Sequence, residues 1–318
     1  MGNGRISNKN NAQKTSLKQA HFCKSCQNRV LKTREILYPI INGSGTLTRI
    51  VKSMVNQLVL AFLLSGLIAA LAYWRGSLAP SGAIGALLVG TVIYGFGGWI
   101  WGILLALFFI SSSLLSHYKE REKQAVAEKF DKGHRRDLGQ VLANGGAGAI
   151  VALLHGFFPS PLWLPLFLGT MATVTADTWA TELGTLSQRP PRLITNGRVV
   201  PVGTSGGISP FGTAVSFTGG LLIGLVAGLL SQDHILALTL TGGVGGLAGS
   251  LGDSFLGATV QQIYTCTVCQ KETEKKVHCD QPTRPLRGWR WMNNDLVNLL
   301  ASVFGGVTAV LVYSLLVA

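Results

Sequence analysis

Eight apolar segments dominate this chain, at about 57–74, 78–96, 98–116, 141–158, 162–183, 211–230, 235–256 and 296–317. Each holds roughly 17–25 residues, the length that crosses the hydrocarbon of a bilayer as a helix. In lipid every backbone N–H and C=O must be satisfied within the segment, which restricts such a chain to helices. The expected fold is therefore all-α, a polytopic membrane helix bundle of about 7–8 transmembrane helices. The 40 glycines imply glycine-rich packing, with helix axes drawn close together. The second segment, rich in glycine and scarcely separated from the third, is the weakest of the eight.

Charge is confined to what lies between these segments. Only 13% of the residues are charged, mean hydropathy is +0.37, and the net charge is +13. No compact basic-aromatic surface accompanies that charge, so nucleic acid is excluded as a partner. The stretch 117–140 carries seven Lys/Arg, 184–210 carries three and 257–294 carries six, whereas 159–161 and 231–234 carry none. If all eight segments cross, the three basic loops share one face, which the positive-inside rule assigns to cytoplasm or stroma. Residues 1–52 are equally basic, with ten Lys/Arg and one acid. They read as a disordered tail or targeting segment ahead of a transmembrane catalytic domain at 53–318. The mixed-sign stretch 117–140 reads as a solvated helix continuing from the third span.

Most of the fourteen acids lie in loops. Asp177, Glu182, Asp253 and Asp295 instead lie within or at the edge of apolar segments, where a carboxylate costs free energy and marks a functional site. At about 100° per residue, Asp177 shares a stripe with Thr170, Thr173, Thr181 and Gly184, and Glu182 falls about 140° away. Gly242, Gly246, Gly249, Asp253 and Gly257 form one face of the seventh segment. Close packing there seats Asp253 between helices, where Mg²⁺ or an arginine is its expected partner. Asn293-Asn294-Asp295 opens the last segment, with Asn298 on the inward face. All four acids fall at the basic-face ends of their spans, so they can converge. Beside them, Gly203-Thr204-Ser205-Gly206-Gly207 offers backbone N–H groups suited to phosphate. Arg135 and Arg136 lead into Asn144-Gly-Gly at the mouth of the fourth segment. A late loop holds Cys266, Cys269, His278 and Cys279, either a small zinc clasp or a set of reduced thiols. Cys23 and Cys26 form a lone C-x-x-C in the tail.

The segments A-D-T-W-A-T-E-L-G (176–184), G-T-S-G-G-I-S (203–209), L-G-D-S-F-L-G-A-T-V-Q (251–261) and N-N-D-L-V-N (293–298) resemble the DUF92/transmembrane protein 19 family. The likeness is greatest to its phytyl-phosphate kinase branch of plants and cyanobacteria. The resemblance covers roughly residues 57–318. It implies phosphoryl transfer from a nucleoside triphosphate to an isoprenoid monophosphate, giving the diphosphate that feeds tocopherol and phylloquinone synthesis. The expected setting is a plastid envelope, thylakoid or cyanobacterial membrane, with the active site on the cytoplasmic or stromal face. The implied cofactor is Mg²⁺ or Mn²⁺, and CTP or another nucleoside triphosphate is the donor. Asp253 and Asp177 would hold the metal, with Asn294, Asp295 and Asn298 completing the site and Glu182 beside them. The glycine run would hold phosphate oxygens, and Arg135, Arg136 or Arg287 would neutralise charge. The partners are then an isoprenoid phosphate, a nucleotide and membrane lipid. The alternatives are a lipid or metabolite transporter or flippase, and a CTP-dependent prenyl-alcohol kinase or cytidylyltransferase. Polar residues gathered at one membrane face, rather than at the midplane, favour the enzyme over the transporter.

Overall fold

The apolar segments are helices. In the computed structural model, which describes residues 44–118 and 135–318 with side chains from residue 51, they are α1 (Ser44–Trp74), α2 (Pro80–Gly97), α3 (Trp99–His117), α4 (Leu138–Phe157), α5 (Trp163–Gly184), α6 (Pro210–Ser231), α7 (Ile235–Thr259) and α8 (Asn294–Val317). The chain divides into a unit of Met1–Asn56 and a compact unit of Gln57–Ala318, and the second holds the helix bundle. Two expectations for polar segments change or pass out of view. The tail was expected to run to residue 52, yet α1 begins at Ser44, because helical hydrogen bonding propagates past the end of an apolar run. The solvated helix at 117–140 lies outside the described residues except at its ends, as do Cys23 and Cys26.

Helix boundaries follow local chemistry. Proline at the first position opens α2 and α6, where its missing N–H is harmless. Asp137 caps α4 in a reciprocal capping box, accepting from the Gln140 N–H at 2.9 Å while Gln140 accepts from the Asp137 N–H at 3.2 Å. Gly98 alone separates α2 from α3, and its φ of 83° turns the chain where a side chain would be strained. The glycine-rich second segment is thus a full helix.

Among the described residues, seven helices are long and apolar enough to cross a membrane. The remaining one, α5, is the central helix, with every residue from Phe167 to Ala176 buried. Surrounded by other helices, it can carry threonines and an aspartate that a lipid-facing helix could not. Its N-terminal half packs by aromatics: the Trp101 ring stacks on Phe167 at 4.1 Å and on His155 at 5.1 Å. Its C-terminal half packs by small residues. The glycine face of α7 lies against α6 and α5 so closely that a Cβ on Gly242 would stand 2.6 Å from the Gly220 carbonyl, and one on Gly246 would stand 2.9 Å from the Ala172 carbonyl. Both neighbours are backbone and cannot rotate away.

The loops between helices carry short antiparallel strands. β1 (Arg192–Leu193) pairs with β2 (Gly207–Ile208) in the loop between α5 and α6. After α7, β3 (Ile263–Thr265) is the centre of a three-stranded sheet between β4 (Glu272–Thr273) and β7 (Arg284–Arg287), while β5 (Val277–His278) and β6 (Gln281–Pro282) form a hairpin.

Candidate active site

At the end of the bundle where these loops gather, a cavity of about 680 Å³ opens. Asp177, Glu182, Asp253 and Asp295 all line it, although they come from three helices. So do Asn144, Asn294, Asn298, Arg136 and the whole run Gly203–Gly207. Each helix contributes its basic-loop end, and the packing of α7 into α5 and α6 brings Asp253 beside Asp177.

Those two acids form the floor. Asp177 accepts a hydrogen bond from the Ser250 hydroxyl, and the Asp253 carboxylate feels the charge of Asp177 and of Glu274. The Asp253 Oδ2 is buried with no hydrogen-bond partner among the described residues. An orphaned carboxylate oxygen facing two further carboxylates is costly unless a cation completes it. The residues therefore fit a divalent ion of oxygen-seeking chemistry, as Mg²⁺ or Mn²⁺ is.

Glu182 belongs to a different wall. It accepts from the Ser116 hydroxyl at 2.7 Å, and its charge acts on Arg136, whose guanidinium donates to the Ser113 hydroxyl at 3.1 Å. Burial lowers the Arg136 pKa, and Glu182 opposes that shift. Because α5 is unbroken to Gly184, the angular separation of Asp177 and Glu182 persists.

The rim is a hydrogen-bonded lattice. Gln261, fully buried, accepts from the Ser205 hydroxyl at 2.6 Å and donates to Glu274 Oε1 at 2.8 Å and to Asn294 Oδ1 at 3.4 Å. It thereby joins the glycine-rich loop, the β-loop and the start of α8. Asn293 is the cap of α8, accepting from the Leu296 N–H at 3.0 Å. The run Gly203–Gly207 is built from tight turns, with Gly203 and Gly206 at φ of 79° and 84°. Gly206 presses on the Ala258 backbone, leaving no room for a side chain.

Two sequence-predicted arginines lie elsewhere. Arg135 is exposed and sits over the Tyr73 ring at 5.9 Å, outside the cavity lining. Arg287 donates to the carbonyls of Gly257 at 2.7 Å and Ser205 at 3.3 Å, so its guanidinium braces the rim instead of facing the cavity. Lys276 and Arg290 line the cavity in their place. Glu274 is a second correction: set aside above as an ordinary loop acid, it is carried inward because β4 folds back on β3 in the register Tyr264↔Thr273. The paired Gln261-Gln262 directly after an apolar helix was the available signal. In the late loop Cys266, Cys269, His278 and Cys279 do come together, with their ligand atoms all within 4.8 Å of one another.

Fold and site define an integral membrane protein of helical bundle type, with an acidic, glycine-looped cavity at one end of its spans. The chain belongs to the family described as integral membrane protein DUF92, whose model matches residues 63–306. It is 36% identical over 232 residues to an uncharacterized membrane protein of Methanocaldococcus jannaschii, covering 73% of this chain and 84% of that one. It is 32% identical over 287 residues to Protein PGR of Arabidopsis thaliana, covering 81% and 98% respectively. Similarity to the chloroplastic Protein VTE6 of the same plant is 28% over 244 residues, 74% of this chain and 65% of that one. No solved structure matches.

Proposed function

We propose that this protein transfers a phosphoryl group from a nucleoside triphosphate to an isoprenoid monophosphate within the membrane, in the manner of phytyl-phosphate kinase. The observation that carries the reading is the convergence of Asp177, Asp253 and Glu274 on one cavity, with the Asp253 Oδ2 left orphaned. Five carboxylates and three basic side chains line that cavity. On its own such a lining repels phosphate. A divalent ion held by Asp177 and Asp253 would cancel that excess of negative charge and itself neutralise charge on phosphate oxygens.

In the proposed reaction an oxygen of the lipid monophosphate attacks the γ-phosphorus of the nucleotide. The bond from that phosphorus to the β–γ bridging oxygen breaks, and nucleoside diphosphate leaves with the electron pair. The attacking phosphate is already ionised, so no general base is required. The protein's part is orientation and charge: the Gly203–Gly207 turns present backbone to phosphate oxygens, and Arg136, Lys276 and Arg290 take up negative charge. Trp291, which lines the cavity yet is exposed and stacked on Trp289 at 5.3 Å, supports a substrate entering from the membrane interface.

The test is turnover by purified full-length protein in lipid nanodiscs, given phytyl phosphate, Mg²⁺ and ATP, CTP, GTP or UTP in separate reactions. Phytyl diphosphate identified by mass spectrometry is the expected product with at least one donor. Absence of diphosphate with all four, from protein that remains folded, overturns the reading and leaves the transporter to be tested by vesicle flux.

A further inference from the structure

Ile263 and Met292 are buried at the base of the late loop, but its outer part, 266–283, has almost no apolar side chain to bury. Its strands are two to four residues long, and Val268 and Val277, apolar residues available to hold it, are each 59% exposed. A segment this short buries too little apolar surface to order itself, and such segments rely on a cross-link or a metal.

The four side chains at its centre meet the requirement. Cys266 and Cys269 lie on one turn, closed by the Gln270 N–H donating to the Cys266 carbonyl at 3.1 Å. The N–H groups of Val268 and Cys269 point at the Cys266 Sγ, at 3.4 and 3.5 Å. That arrangement favours sulfur as a thiolate. His278 and Cys279 come from the β5–β6 hairpin. Adjacent residues ordinarily diverge, but here Cys279 and Asp280 both adopt left-handed backbone, with φ of 52° and 56°. A two-residue hairpin loop requires this backbone at both positions; Asp adopts it readily, whereas cysteine does so at a cost. The turn brings both side chains to one point: the His278 Nδ1 stands 3.2 Å from the Cys279 Sγ and 3.6 Å from the Cys269 Sγ. In a tetrahedron with Zn–S of about 2.3 Å and Zn–N of about 2.0 Å, the ligand–ligand edges are roughly 3.5–3.8 Å.

The geometry points to a structural Zn²⁺ site formed by the Sγ atoms of Cys266, Cys269 and Cys279 and the Nδ1 of His278. The ligands would bind as three thiolates and a neutral imidazole, so the filled site carries one net negative charge, within a loop that also bears Lys271, Lys275 and Lys276. All four positions belong to protein ligands, so the ion is closed to substrate and acts on the fold. Glu274 and Lys276 lie between the two ligand pairs, and both line the cavity. The clasp therefore fixes two cavity residues that no helix carries, and it does so whatever reaction the cavity serves.

The test is metal analysis of the purified full-length protein, handled without added metal or chelator, together with the absorption spectrum after exchange into Co²⁺. About one Zn²⁺ per chain is expected, with tetrahedral d–d bands and thiolate charge transfer for the cobalt form. Cys266→Ser and Cys279→Ser should bring zinc to background, whereas the tail variant Cys23→Ser/Cys26→Ser should keep it. His278→Cys should retain metal with an all-thiolate spectrum, which separates loss of a ligand from loss of the fold. The proposal is overturned by wild-type protein without zinc, by zinc surviving Cys266→Ser and Cys279→Ser, by its loss from the tail variant, or by a disulfide between loop cysteines in protein kept from air.

Discussion

Asp253 is the residue on which the cavity depends most, because its second oxygen is buried and lacks any partner among the described residues. Asp253→Asn preserves volume but removes the charge, so turnover should fall roughly 10²–10³-fold, the usual loss of a preorganised electrostatic partner. Expression and elution as a monodisperse species should be unchanged. Asp177→Asn should match it. Glu182→Gln should cost about tenfold, since the amide still accepts from Ser116 while its charge on Arg136 is lost. Equal losses for all three in a nanodisc turnover assay would show that the two walls act as one. Asp177 and Asp253 were legible in the sequence because a carboxylate in an apolar helix needs explaining. Glu274 was not, because an acid in a polar loop needs no explanation until the loop's path is known. Arg135 and Arg287 misled for the reverse reason: a guanidinium can brace a carbonyl or cover a ring as readily as it meets phosphate.

Among elements, the helices were legible to within a few residues because bilayer thickness sets their length. The error was largest at the start of α1, where polarity and helicity part company. The short strands after α7 were not legible, since two residues carry no periodicity. The glycine face of α7 was legible as packing, and it makes a contrast that can be measured. A Cβ at Gly246 would stand 2.9 Å from the Ala172 carbonyl and 3.0 Å from the Gly220 Cα, whereas at Gly146 its nearest neighbour is Leu299 Cδ1 at 3.9 Å. Gly246→Ala should thus lower stability by about 1–3 kcal/mol through overpacking. Gly146→Ala should leave it unchanged or raise it by up to about 1 kcal/mol, because alanine favours helix. Thermal unfolding midpoints in one detergent compare the two. A Gly246→Ala midpoint equal to wild type would mean that α7 does not lie against α5 and α6 this closely.

For the whole molecule, the distribution of basic residues and the position of the cavity describe the same arrangement. Residues from the loops 184–210 and 257–294 and from the start of α4 meet around one cavity, so these segments share one end of the bundle. The link between α6 and α7, which carries no Lys or Arg, is one helix length away from the cavity end of either helix. Two helices of 22 and 25 residues rise about 1.5 Å per residue, enough to place that link across the hydrocarbon. Arg198 and Asp233 are both exposed and stand at these two ends. Arg198→Cys and Asp233→Cys, each in vesicles of a single orientation, should react with a membrane-impermeant maleimide from opposite sides. Peptide-resolved mass spectrometry separates the introduced cysteines from the native ones. Labelling of both from the same side would break the up-and-down path of α6 and α7. Asp253, near the end of α7, would then no longer share a membrane face with the basic loops, and the argument for a phosphate-binding cavity would fail with it.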